Sequence, residues 1–456
     1  MKSETTLPEA TGALPVFGHA LPLLRSPLKF LRGLPDQGDL VQLRLGPLRV
    51  LMICDPELTH SFLVQDRVFD KGGLLIERAR QISGNGLFSC PSHEHRRQRR
   101  LVQPAFHHTR LPAYAQVMSE RISAVMDSWS DGQILDVAKE THKITSRVLL
   151  TAMMGSSLSD DEFVAIEDDI DTLVNGMFLR MVLPEAVSRL PLARNRRFQE
   201  AGRPTRRILT EVIAKRRASE AETGDDLLSK LLVARDTEGD GDGMSETELI
   251  DQVVTFYGAG VETTATALTW ALNMASRHPE VARALHEEAR TAVAGTTATW
   301  DDLPGLTYTR DVLTETLRMY PPAWFLTRTT TSDTHLGKHV VPAGVTLAYS
   351  PYVIGHLPSL YDEPERFDPG RWSADAPHTP PRNAFVSFGG GARKCIGEEF
   401  SMTEATLVLA TIMKRWRLHA QPGTGHQPKV SVALRPRALR LKVTALAVDG
   451  ASAKAG

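Results

Sequence analysis

The chain has 456 residues, 42% hydrophobic and 23% charged, with a formal net charge of −1. That length exceeds one ordinary hydrophobic core, so two domains or one large enzyme fold with a minor lobe is expected, and the balanced charge gives no electrostatic reason to bind nucleic acid. Three cysteines, Cys54, Cys90 and Cys395, argue against a disulfide framework and leave at least one thiol free for chemistry.

Residues 1–13 hold neither an apolar signal core nor the run of roughly 20 apolar residues that spans a bilayer, so a cytoplasmic protein without a membrane anchor is expected. Proline and glycine punctuate Leu14 to His19, and β-like runs follow at Val41–Leu45 and Val50–Cys54. From about Leu101 to Tyr320 apolar residues recur at helical spacing, as in Ile208–Ala218 and Val281–Ala292. The run Asp236 to Gly243 has the composition of a calcium loop, but its twelfth position is Thr247 where such a loop needs a bidentate Glu, so it reads as a solvated connector. Ser245 with Glu248 three residues on has the form of a capping box. No proline follows until Pro279, so one helix of about 33 residues, roughly 50 Å long, should cross the molecule.

After Pro321-Pro322 short strands are expected at Leu336–Val341 and Val345–Tyr349, then a proline-rich irregular stretch reaching Pro381. A buried last helix is expected at Phe400–Trp416, and disorder from Asp449. The class is mainly α with small β-sheets.

Phe388-Gly389-Gly390-Gly391-Ala392-Arg393-Lys394-Cys395-Ile396-Gly397 is the strongest local signal. Its glycines let backbone amides approach one sulfur, and a helix N-terminus follows; both favour the thiolate that a metal ligand requires. A phosphate loop would end in Gly-Lys-Ser or Gly-Lys-Thr, and a zinc site would need more than one nearby Cys or His. The segment resembles the haem loop of the cytochrome P450 family, Phe-x-x-Gly-x-Arg-x-Cys-x-Gly, at Phe388, Gly391, Arg393, Cys395 and Gly397. The resemblance recurs from the proline-rich entry to the final helix. It implies haem b with Cys395 as axial ligand, and one domain over 1–456 with a long central helix and a β-rich lobe mainly at 30–75 and 325–352.

Ala259-Gly260-Val261-Glu262-Thr263-Thr264 resembles the family's oxygen-activation motif. The resemblance implies that Ala259 lies against the haem, that Thr263 hydrogen-bonds the bound oxygen, and that Glu262 relays protons from solvent; Gly260 leaves room and could loosen the helix. A rival reading, a strand at Val253–Phe256 running into a dinucleotide loop, fails because Thr263 stands at the third small position and no second strand ending in Asp or Glu follows. Glu315 and Arg318 share a helical face, and the resemblance adds Arg366 of Pro364-Glu365-Arg366-Phe367 as the third member of a buried structural triad.

The haem propionates need cations or strong donors. The family pattern nominates His95 and Arg99, with Arg328 and Arg393 as further candidates; Arg96, Arg97 and Arg100 read as a solvated basic face near Cys395 able to attract an acidic ferredoxin. For the substrate pocket the resemblance points to Phe88, Phe256, Ala323, Trp324 and Phe325, an apolar and aromatic lining that implies a lipophilic ligand. The string Pro322-x-Trp324-x-Leu326-Thr327-Arg328 and the region near Arg180 are similar to bacterial P450s that oxidise sesquiterpenes. Hydroxylation of a macrolide, fatty acid or other lipophile, peroxide-driven oxygenation and non-catalytic haem binding are the competing readings. The spare cysteines are too few for an iron–sulfur domain and no flavin domain is expected, so electrons should come from NAD(P)H through a separate ferredoxin reductase and ferredoxin, to a monomer.

Overall fold

The central helix runs from Glu246 to Arg277, 32 residues. Ser245 caps it: its hydroxyl accepts the Glu248 amide at 3.2 Å while the Glu248 carboxylate accepts the Ser245 amide at 2.8 Å, and Pro279 opens the next helix directly after His278. A helix apolar on nearly every face must be enclosed, and this one is packed against Val137–Met154, Thr307–Met319 and Glu398–Arg415. It continues unbroken through Gly260, so the expected loosening of the ladder does not occur. A Cβ there would lie 2.9 Å from Leu149 Cδ2, so the glycine serves close helix packing. The computed structural model describes residues 7–446 apart from 156, 183–186, 188, 189, 219–223, 240, 377–379, 382 and 426; the tail from Asp449 and Pro184 lie outside the described residues.

A smaller sheet lobe leans on this bundle. Its strands stand in the order Leu40–Leu45, Leu48–Ile53, Thr346–Tyr349, Leu326–Thr330, Phe69–Asp70, with only the second and third parallel. Leu43, Met52, Ile53, Phe62 and Leu347 form its separate core. The single strand expected at Leu336–Val341 is a hairpin, Thr334–Leu336 against His339–Val341, because Gly337 opens a two-residue loop at φ +57°. The last helix ends at Arg415, and Trp416 begins a strand instead.

The acidic connector is less solvated than its composition suggests. Asp236 is buried and takes Arg100 through both oxygens at 2.7 Å, and Arg97 reaches Glu248 at 2.7 Å and the Gly243 carbonyl at 2.8 Å. Arg97 and Arg100 are therefore structural; Arg96 alone of the three is exposed.

The long irregular stretch after His356 is ordered by a fully buried ion pair. Arg318 meets Glu315 through two parallel bonds, Nε to Oε2 at 2.7 Å and the terminal nitrogen to Oε1 at 2.8 Å. Its other donors take the carbonyls of Gly355 at 2.5 Å, Pro364 at 2.8 Å and Arg366 at 3.2 Å. Glu315 also accepts the Asp368 amide at 3.0 Å, the Trp372 indole at 3.0 Å and Arg371 Nε at 3.3 Å. The third member of the triad is thus Arg371. The Arg366 side chain is 63% exposed and pairs with Glu363 at 3.0 Å, contributing only its carbonyl to the network. Arg366-Phe367 and Arg371-Trp372 are look-alike strings, and only the second rides a 3-10 turn, Pro369–Trp372, that points cation and indole at Glu315.

Breaking a buried pair by removing one partner strands a charge, so Glu315→Gln is expected to cost about 3–5 kcal/mol in urea unfolding. Arg366→Ala should stay within about 0.5 kcal/mol of wild type, as surface changes do. Equal losses for the two variants would contradict the assignment of Arg371.

Candidate active site

The network delivers the chain to the cysteine loop, and Ser387 fastens it by donating to the Leu317 carbonyl at 2.8 Å. Within the loop the Cys395 amide donates to the Phe388 carbonyl at 2.9 Å. Gly391 has φ +65°, and a Cβ there would fall 2.4 Å from the Leu63 carbonyl oxygen, so any side chain would push the loop off the helix Pro56–Val64. Burial pushes the Cys395 thiol up while the hydrogen-bonded Gly397 amide pulls it down, and burial prevails. A sulfur in this setting becomes a settled thiolate when a metal cation binds it. The other two thiols are buried and inert, pushed up to about 12 for Cys54, by burial first and then the Asp39 and Asp55 charges, and to about 11 for Cys90, where burial outweighs Arg393.

Cys395 is exposed towards a cavity of about 280 Å³. Ala259, Gly260 and Thr263 of the central helix form one part of its wall, and Phe388, Arg393 and Gly397 of the loop another. Thr263 Oγ1 donates to the Ala259 carbonyl at 2.7 Å, which holds the hydroxyl at the cavity wall. Glu262 turns away from the cavity to Arg435, 3.7 Å distant. Burial raises its pKa more than Arg435 and His142 lower it.

Of the proposed pocket residues, Phe88, Phe256 and Ala323 line the cavity. Trp324 and Phe325 do not: both pack on the core of the sheet lobe, and the Trp324 indole donates to the Ser431 carbonyl at 3.1 Å. They lead into the strand Leu326–Thr330, and the lining resumes at Leu326.

His95, Arg99, Arg328 and Arg393 converge on the same cavity. Arg328 is braced by the Phe62 and Leu63 carbonyls, both at 3.1 Å, Arg393 by Asp70 at 2.9 Å and the Cys90 carbonyl at 2.9 Å, and Arg99 by the Lys394 carbonyl at 2.8 Å. Lys71, which no spacing or motif singled out, joins them over the Phe88 ring. Burial, then the charges of Arg328 and Arg393, push Lys71 down to about 7. His95 falls to about 3 through burial and then its cationic neighbours, Arg393 first, so its imidazole is neutral. Glu404 also lines the cavity, and burial pushes its carboxyl well above the ordinary range. A wall crowded with cations, with Arg393 Nε buried and unpartnered, suits a ligand bearing two carboxylates, and the lone thiol beside it suits iron. Haem has both features, so the residues present fit it.

The family model for cytochrome P450 matches residues 8–443. This chain belongs to the cytochrome P450 family. It is 43% identical over 437 residues to a pentalenene oxygenase of Streptomyces avermitilis, covering 96% of this chain and 97% of that one. It is 42% identical to a cyclooctatin synthase of Streptomyces melanosporofaciens, covering 95% and 94%. To a cyclooctat-9-en-7-ol 5-monooxygenase of the same organism it is 41% identical, covering 91% and 90%. As a P450 it is an oxidoreductase that uses haem, and its class is monooxygenase. Among the described residues no helix is long and apolar enough to cross a membrane.

Lys71→Met should loosen the cofactor. A hydrogen bond to a charged group contributes about 1.5–3 kcal/mol, so haem loss to an acceptor apoprotein is expected to quicken roughly tenfold or more; an unchanged rate would remove Lys71 from the propionate set.

Proposed function

We propose that this protein inserts one oxygen atom from dioxygen into a terpenoid, most simply a sesquiterpene, in bacterial secondary metabolism. The observation that carries this reading is one apolar cavity bordered by Cys395 on its loop and by the Thr263 hydroxyl on the central helix. The names of the relatives, which speak of pentalenene and cyclooctat-9-en-7-ol, support the substrate class, as do the Phe88 and Phe256 walls.

Cys395 would hold the haem iron, with His95, Lys71, Arg99, Arg328 and Arg393 receiving the propionates and Ala259, Phe388 and Gly397 enclosing the ring. Bound there, haem supplies the reductive activation of dioxygen, drawing two electrons. Glu262, whose carboxyl burial makes more basic against the pull of Arg435, is the residue that would feed protons towards Thr263 Oγ1. Thr263, tethered to the Ala259 carbonyl, releases its own proton into the cavity beside Ala259 and Gly260. The pair Glu315–Arg318, with Arg371, keeps the loop that carries the thiolate from shifting. Electrons would come from NAD(P)H through a ferredoxin reductase and a ferredoxin docking near exposed Arg96 and Lys394. We read the protein as a cytoplasmic monomer of one domain, with lobes at 30–75 and 325–352 forming the sheet side.

Incubation with sesquiterpene hydrocarbons, NADPH, ferredoxin and reductase should yield products heavier by one oxygen atom. Thr263→Ala is expected to cut product formed per NADPH by roughly tenfold or more, with peroxide released in its place. Product yield unchanged in that variant would contradict the assigned role.

A further inference from the structure

Between the helices Leu74–Ser83 and Ser92–Val102, loop 84–90 brings Leu87 and Phe88 to the cavity wall. Its backbone is laced to the start of the central helix. Asp251 Oδ2 accepts the Asn85 amide at 2.8 Å, and Gln252 Oε1 accepts the Leu87 amide at 3.0 Å. Gln252 donates in turn to Gln98 Oε1 at 2.9 Å, and Gln98 donates to the Asn85 carbonyl at 2.9 Å. The other Asp251 oxygen, Oδ1, takes Arg206 Nη2 of the helix Arg203–Ala218 at 2.8 Å. Two glycines permit this close approach: a Cβ on Gly84, whose φ is +64°, would fall on the Asp251 carboxylate, and one on Gly86 would fall on Thr255 Oγ1. The Asp251 side chain is 9% exposed, and it does not line the cavity, whose wall on this helix begins at Thr255.

We propose that Asp251 is a positioning residue for the substrate: without touching the cavity it sets the Phe88 wall, and so decides which carbon of a bound lipophile is presented for oxygen insertion. This rests on the reading of the cavity as the substrate site of a haem monooxygenase.

A carboxylate holds a backbone amide roughly twice as strongly as a neutral acceptor does, and Arg206 steadies that carboxylate from a further helix. The bonded segment extends to the ring. Asn85 stands three residues before Phe88, the Leu87 amide between them is tied to Gln252, and the Ser89 and Cys90 amides both return to the Gly86 carbonyl at 3.0 Å. The turn that aims Phe88 is therefore a rigid continuation of the Asp251 contact. Loss of that contact frees the Asn85 amide and lets the turn move as a unit, and a misplacement of about 1 Å at a reacting centre costs up to about a hundredfold.

Two azoles read this wall whichever terpenoid the enzyme oxidises. Imidazole and phenylimidazole both ligate ferric haem from the substrate side and shift its Soret band, but only the second lays a ring against the apolar walls. The preference for phenylimidazole, taken as the ratio of the two dissociation constants in the holoenzyme, therefore reports the walls, whereas altered haem seating moves both constants alike. Phe88→Ala is expected to lower that preference by about tenfold. Asp251→Ala, at a carbon monoxide spectrum matched to wild type, should lower it equally, and in the Phe88→Ala background it should change the ratio by less than about twofold, since it acts through that ring. Asp251→Asn keeps an acceptor for the Asn85 amide and should restore the preference to within about threefold of wild type. Gly84→Ala removes no polar group but pushes the loop off the helix, and it carries the same expectation should Asp251→Ala not fold. A residue that only stabilises the fold would lower the melting temperature and leave the preference unchanged. A wild-type preference in folded Asp251→Ala or Gly84→Ala, or losses that add in full in the double variant, would overturn the proposal. If neither azole shifts the Soret band, the haem reading fails first; if Phe88→Ala leaves the preference unchanged, the reading of the cavity wall fails; if it lowers the preference and Asp251→Ala does not, only the role of Asp251 fails.

Discussion

The site depends on one buried ion pair. Glu315 and Arg318 have no contact with solvent, yet between them they bind the carbonyls of Gly355, Pro364 and Arg366, the Asp368 amide and the Arg371 and Trp372 side chains. Burying two charges carries a desolvation cost of several kcal/mol per ion, offset only when geometry is good and every remaining donor is satisfied. Here the satisfied donors gather a stretch of chain with almost no regular structure of its own. The cysteine loop is the next segment along, so the position of the thiol inherits the rigidity of that pair.

A second constraint acts across the cavity. Lys71, Arg99, Arg328 and Arg393 are brought together by the sheet lobe, the helix Ser92–Val102 and the cysteine loop, and burial first, then the neighbouring cations, depresses the basicity of His95 and Lys71. Such crowding is unfavourable in isolation and favourable around a dianion. The sulfur and the cations together therefore select a ligand with a metal at its centre and carboxylates at its edge, while the apolar remainder of the cavity suits a lipophilic substrate.

How legible each feature was in the sequence follows from how local its cause is. The capping box at Ser245 and the uninterrupted run to Pro279 involve neighbours along the chain, and the central helix has the length they imply. The cysteine loop is a contiguous string whose glycines have a conformational reason to be there. The string Pro364-Glu365-Arg366-Phe367 points to Arg366, yet a similar string, Pro369-Gly370-Arg371-Trp372, stands five residues on, and only tertiary direction tells the two apart. The family resemblance points Trp324 and Phe325 to the pocket because the segment as a whole borders it, whereas packing against the sheet lobe decides where each side chain goes. Lys71 carries no local signal: it acquires its chemistry from elements remote in sequence.

Ligation of iron by Cys395 is the claim on which the rest stands, and the carbon monoxide difference spectrum of the reduced protein tests it most directly. Wild-type protein should give the strongly red-shifted Soret band of a thiolate-bound ferrous haem, the band for which the family is named, and Cys395→His should lose it while retaining haem. A wild-type spectrum of the shorter-wavelength, histidine-ligated kind in freshly purified, folded protein, or a red-shifted band that survives in Cys395→His, would contradict it.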